Sequence, residues 1–260
     1  MVDAAWLQQR GYSTSLRSQY LTAGWLHQPA RRVYCRSRGS LSWQQIVISL
    51  QTLLGHSLSV GGRTALELHG YAHYLSQQTG EVHLYGPQPP PGWLKNLKVG
   101  ASFIYHNDRT LFRTSRTQFP PLGADPFDQS RLDFHSAGTV TTILPWGPWQ
   151  WPLVLSTPER AVLELLDELP SHETFHQVDQ LFGGLANLSP RRLQGLLVDC
   201  RSVKVKRLFF YFADRHHHAW LKRLDKGEIE LGSGKRLLVK GGKLDPTYQI
   251  TVPENLDGVF

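Results

Sequence analysis

Cysteine is nearly absent from the 260 residues: only Cys35 and Cys200 occur, and neither belongs to a CxxC or Cys/His pair. That excludes a disulfide-framed scaffold and a cysteine-type zinc site, and it fits a reducing compartment. No run approaches the roughly 20 apolar residues a membrane-spanning helix needs, so no membrane partner is expected. The opening stretch from Met1 to Arg10 turns polar too early for the apolar core of a secretory leader, and the expected location is cytoplasmic. Acidic residues are scarce at one end. The first 55 positions hold Asp3 alone against six basic residues, and none of those six is lysine.

What is present can build a core. The chain is 40% hydrophobic, with eight Trp, nine Tyr and eleven Phe. A protein of this size buries roughly 70–75% of its unfolded surface, so a wholly disordered chain is excluded. The formal net charge is +7, and +5 of it lies in residues 1–55, on Arg10, Arg17, Arg31, Arg32, Arg36 and Arg38. Residues 56–150 and 151–260 each contribute only +1. Arginine's planar fork suits bidentate contacts to phosphate and guanine better than lysine's point charge does.

Local pattern gives that charge a setting. Trp6 to Arg10 reads as the end of a short helix stopped by Gly11. Ser13-Thr14 offers a cap for a second helix, Ser15 to Leu21, whose apolar side is Leu16, Tyr20 and Leu21. Trp25–His27 and Arg32–Arg36 then alternate as two short strands joined around Pro29-Ala30-Arg31. Helix, glycine turn, polar-faced helix and basic hairpin follow the order of a winged helix-turn-helix, whose second helix enters the major groove. On that reading Ser15, Arg17 and Gln19 are candidates for base edges. Ser13, Arg31 and Arg32 are candidates for phosphate, because turn and wing contacts mainly position the protein.

The rest of the chain reads as a larger mixed domain. A helix spans Ser42 to Leu54, a strand-like Ser57–Val60 meets Gly61-Gly62, and a helix restarts over Thr64–Leu68. Pro89-Pro90-Pro91 makes a stiff connector and a candidate sub-boundary near 87–95. Three tryptophans, Trp146, Trp149 and Trp151, crowd one segment, which reads as core or edge packing ahead of the alternative, an exposed partner surface. Thr157-Pro158-Glu159 opens a strong helix running to Pro170, followed by helices over 175–185 and 190–200. The tail reads as β: 229–231, a Gly232-Ser233-Gly234 turn, 236–239 and 248–252. The expected fold class is α+β, with a winged helix-turn-helix over 1–55 and a mixed α/β domain over 56–260.

Three motifs invite chemistry and are read against it. His172-Glu173-Thr174-Phe175-His176 matches HExxH, in which two histidines on one helical face hold zinc beside a general base. Pro170-Ser171 places it in a helix's first turn, capped by Ser171, where a rigid mid-helix face is lacking; a zinc peptidase is the least favoured alternative. His216-His217-His218 reads as an exposed loop. Gly232-Ser233-Gly234-Lys235 lacks the phosphate-loop spacing. No catalytic residue, metal ligand or cofactor is assigned, and no enzyme is expected.

The run from Val60 to Tyr71 resembles the AbiEi antitoxins of type IV toxin–antitoxin systems. So, more specifically, do the tail segments 201–209, 231–236, 240–246 and 248–253. The resemblance implies a winged helix-turn-helix repressor that binds inverted repeats in double-stranded DNA upstream of its own operon. It also implies a C-terminal domain that counteracts a cognate nucleotidyltransferase toxin without a stable complex, as in phage abortive infection. Lys204, Lys206, Arg207, Lys235, Arg236 and Lys240 are then expected to form a basic surface of the antitoxin domain. The family places a helix before the helix-turn-helix pair. Here either the start is truncated or the Ser42–Leu54 helix substitutes. The competing reading is an RNA-binding protein that protects the toxin's target, stacking bases on Tyr20, Trp25 and Tyr34.

Overall fold

The structure, a computed structural model, describes residues 1–36, 39, 41–71, 80–114 and 139–257. Its first elements are β1 (Val2–Asp3), α1 (Ala4–Gln9), α2 (Thr14–Thr22), β2 (His27–Ala30) and β3 (Val33–Cys35). Each helix start is fixed by a side chain. Asp3 accepts from the Trp6 amide at 2.8 Å, and Ser13 accepts from Leu16 at 3.2 Å. Gly11, at φ +83°, makes the left-handed turn between the helices. The strands form an antiparallel sheet in the order β1-β3-β2. Its core is small: Ala4, Leu7 and Tyr34, with Val2, Trp6, Tyr12, Leu21 and Leu26 partly buried against them.

The next helix, α3 (Trp43–Thr52), is held by a reciprocal cap between Ser42 and Gln45. Ile46, Val47 and Leu50 belong to the main core of the larger body. Gln51 is buried and bonds Leu58 O (2.8 Å), Val154 O (2.9 Å) and Val154 N (3.0 Å). The other side of α3 carries the N-terminal unit. The Met1 amino group donates to Ser49 Oγ at 3.0 Å, and Trp6 Nε1 to Leu53 O at 2.8 Å.

The larger body is built on a mixed five-stranded sheet. Along the chain come β4 (Ser59–Val60), α4 (Gly62–Leu68), β5 (Glu81–Gly86), β6 (Ser102–Asn107) and α5 (Asp108–Leu111). The hairpin β7 (Thr141–Trp146) and β8 (Trp151–Ser156) completes the sheet, in the order β6-β5-β4-β8-β7. β5–β6 and β4–β8 pair in parallel, and the other two pairings are antiparallel. β5 and β6 flank the proline-rich 87–95 segment and still share six paired positions of one sheet. The β7–β8 turn leaves Trp149 68% exposed, whereas Trp146 packs against the core.

Helices α6 (Pro158–Asp167), α7 (Phe175–Gly184), α8 (Pro190–Asp199) and α9 (Val203–His216) follow. α6 is the central one, with every residue from Glu159 to Leu166 buried. Phe182 on α7 meets Phe209 and Phe212 on α9 at ring-centroid distances of 6.0 and 5.1 Å. The tail departs from expectation. Residues 229–231 and 236–239 are not strands, and the two-stranded ribbon is β9 (Lys243–Asp245) with β10 (Ile250–Val252). Arg207 donates to the carbonyls of Leu231 (2.7 Å) and Gly234 (2.6 Å), and the amides of Leu238 and Val239 donate to Thr251 Oγ1 (2.7 and 3.0 Å) instead of to a neighbouring strand's carbonyls.

Both cysteines are buried, and burial pushes the Cys200 thiol up to about 11. Thiol–disulfide reagents attack through the thiolate. Neither cysteine is therefore expected to react with a disulfide probe at pH 8 until denaturant is added. Rapid labelling of Cys200 in the native protein would contradict this placement.

Candidate nucleic-acid interface

The outward side of α2 is short and polar: Ser13, Ser15, Ser18 and Gln19 are all exposed. Arg31 and Arg32 stand exposed at the β2–β3 turn, which Arg32 makes at φ +64°. Arg10 and Arg36 are exposed as well, Arg10 with its guanidinium 3.7 Å above the Trp6 ring. One expected member is missing from this face. Arg17 is only 6% exposed; it donates to Ala4 O and Thr14 Oγ1, both at 2.8 Å, and faces the Tyr34 ring. It is a fastener between α1 and α2 rather than a base-edge contact. Its spacing from Leu21, four residues on, was the available sign, because positions i and i+4 lie on one helical face and Leu21 packs on the small core.

The tail basics divide in the same way. Lys235, Arg236 and Lys240 are exposed. Lys206 and Arg207 are 2% and 3% exposed and cannot form a surface. Arg207 holds the 231–234 segment, while the half-buried Lys204 donates to Leu169 O at 3.0 Å and pairs with Asp167 at 3.3 Å. Helix α9 runs through Val203–His216, with Lys206 and Arg207 on its buried side and Lys204 half-buried in its first turn. Of the stacking candidates, Tyr34 is buried, Tyr20 is half-buried against Trp25, and Trp25 alone is broadly exposed, at 66%.

Inside the larger body lies a polar network that sequence reading did not assemble. The Glu164 carboxylate accepts from Gly62 N (2.9 Å), Arg160 Nε (2.7 Å) and Ser156 Oγ (3.1 Å). Arg160 also reaches Asp108 at 3.2 Å. Burial pushes the Glu164 carboxyl above its ordinary range, against the pull of Arg160. The approach is close enough that a Cβ on Gly61 would overlap both Glu164 Oε2 and the Tyr85 ring. Glycine is required here for space.

The HExxH letters resolve into structure. α7 starts only at Phe175, capped by Thr174 and not by Ser171, so His172 precedes the helix. Glu173 is buried and ion-paired with Arg63 across to α4. The three consecutive histidines are not a free loop either. His216 bonds Asp179 at 2.9 Å, His217 is the left-handed cap of α9, and His218 bonds Phe182 O at 2.6 Å. Among the described residues no helix is long and apolar enough to cross a membrane.

Two family models match the chain. One, described as the N-terminal domain of the AbiEi antitoxin transcriptional regulators, matches residues 1–77. The other, described as the transcriptional regulator and AbiEi antitoxin of a type IV toxin–antitoxin system, matches residues 127–253. The chain belongs to the AbiEi antitoxin family. No curated protein matches it. The crystal structure of the RV2827C protein from Mycobacterium tuberculosis is similar at 17% identity and a TM-score of 0.54, covering 91% of this chain and 78% of that one. At that identity the likeness concerns the fold. The AbiEi N-terminal match runs past α3 into the Gly61-Gly62 segment, so it joins the arginine-rich unit to the helix that carries it.

Arg17→Ala is expected to lower stability by about 1–3 kcal/mol without any nucleic acid present, because two hydrogen-bonded acceptors lose their donor. Urea unfolding measures this; a variant as stable as the parent would show that Arg17 is not held inward. Gly61→Ala should cost about 1–3 kcal/mol through overpacking against Tyr85 and Glu164. An unshifted melting temperature would refute that close approach.

Proposed function

We propose that this AbiEi antitoxin is a DNA-binding autorepressor that also counteracts a cognate nucleotidyltransferase toxin without forming a stable complex with it. The observation that carries the DNA half is the exposed polar side of α2 beside the Arg31-Arg32 turn. Two helices between the first and second strands of a β1-β3-β2 sheet agree with a winged helix-turn-helix. In that arrangement Ser15 and Gln19 face base edges, while Ser13, Arg31 and Arg32 take phosphates. The backing that a preceding helix would give falls to α3, through the Met1–Ser49 and Trp6–Leu53 bonds. The toxin half rests on family membership, with Lys235, Arg236 and Lys240 as the basic surface that remains for it. The RNA-protecting alternative has less support, because Trp25 alone of its three rings is broadly exposed.

The test is a gel shift on the DNA upstream of its own reading frame, with scrambled sequence and structured RNA as competitors. Preference for the upstream inverted repeats is expected. Equal binding to scrambled DNA would refute the repressor reading, and tighter binding to RNA would favour the alternative. Replacing Arg31 and Arg32 by Ala should weaken all DNA alike and flatten the salt dependence by about 0.9 log units per lost phosphate contact. Gln19→Ala should instead relax sequence preference, at about 1–3 kcal/mol. For the toxin half, co-expression with the neighbouring nucleotidyltransferase should restore growth; continued growth arrest would refute it.

A further inference from the structure

Three side chains far apart in sequence meet on one face of the sheet beside the end of α6. His83 stands on β5, His106 on the parallel edge strand β6, and Glu168 caps the C-terminus of α6. The register pairs His83 with Ile104 and Tyr85 with His106, so the two imidazoles are offset by two residues. His83 Nδ1 lies 2.9 Å from His106 Nε2, and His106 Nδ1 lies 3.1 Å from Glu168 Oε1. One donor atom from each residue falls within 4.8 Å of the other two. Tyr85 stacks on His106 at a centroid distance of 4.5 Å and steadies the plane of its ring.

We propose that His83, His106 and Glu168 bind one divalent transition-metal ion, zinc-like in its donor preference, which ties β5 and β6 to the end of α6. Zinc–nitrogen and zinc–oxygen bonds run about 2.0–2.2 Å, which places tetrahedral donors roughly 3.3 Å apart. His106 can offer only one of its two nitrogens to the ion; with one donor atom from each residue the three lie within 4.8 Å of one another, and closing by at most about 1.5 Å brings them to tetrahedral spacing. Two imidazoles and one carboxylate favour zinc and its first-row neighbours over magnesium or calcium, which prefer oxygen donors throughout. His106 and Glu168 retain some solvent contact, which leaves a coordination position for water. The adjacent cation Arg63 is already paired with Glu173 and does not compete for Glu168.

The test uses the full chain, stripped with EDTA and titrated with cobalt(II) chloride and then zinc chloride. One equivalent of cobalt should give the visible absorption of a four-coordinate nitrogen–oxygen site, zinc should displace it, and zinc should raise the melting temperature. His83→Gln and Glu168→Gln should each weaken zinc binding at least about 100-fold. Replacing His216, His217 and His218 together by Ala should leave the cobalt spectrum unchanged. Absence of both a cobalt spectrum and a zinc-dependent melting shift in the parent would overturn the proposal. So would a spectrum that survives Glu168→Gln or disappears with the three-histidine variant. Glu168→Gln, which keeps the side chain's shape, decides the matter should His83→Gln fail to fold.

Discussion

The Glu164 carboxylate, sealed among α6, α4 and the start of β8's exit, is the contact on which the larger body is organised. It is fully buried, yet it receives an amide, a hydroxyl and a guanidinium, and its main charged partner Arg160 is equally buried and shared with Asp108. Taking such charges out of water costs several kcal/mol per ion, and the cost is offset only when the geometry satisfies the remaining polar atoms. That requirement fixes the relative placement of three elements. α4 must present the Gly62 amide, β8 must end in Ser156, and α5 must deliver Asp108. A purely apolar packing of α6 would leave those elements freer to slide. Gly61 follows from the same constraint, since the carboxylate and the Tyr85 ring occupy the volume of a side chain.

The N-terminal unit obeys a different economy of size. Its buried cluster, Ala4, Leu7 and Tyr34, is too small to order a domain, and polar fasteners supplement it. Arg17 joins α1 to α2, and Trp6 and Met1 join the unit to α3. The cations left outside are therefore those of the turns and ends, Arg10, Arg31, Arg32 and Arg36.

Local signals were legible where they act locally. The Ser13 cap, the α2 span, Pro158 at the first turn of α6 and the Gly11 turn all follow from side chains within a few residues of one another. The strand order and the side-chain inversions did not follow, because they depend on distant partners. Arg17 and Arg207 look like surface cations until the carbonyls of Ala4, Leu231 and Gly234 are brought to them. The tail's apolar alternation suggested strands, yet side chains, Arg207 at 231 and 234 and Thr251 at 238 and 239, bond its backbone. HExxH failed as a motif because the helix begins only at its fourth residue, Phe175. His83, His106 and Glu168 come together only when β5 and β6 align in parallel and α6 ends above them, a juxtaposition no spacing rule encodes.

The bonding of α3 carries a consequence for the order of assembly. One face of this helix supports the N-terminal unit, and its other face is pinned by Gln51 to Val154, 103 residues further along the chain. During synthesis the first 36 residues leave the ribosome with all their local caps but without a seated α3. The head therefore gains its foundation only when β8 has been made and has joined the sheet. A shortened chain that ends before residue 154 carries every arginine of the head yet lacks the Val154 partner that helps to seat the helix beneath them.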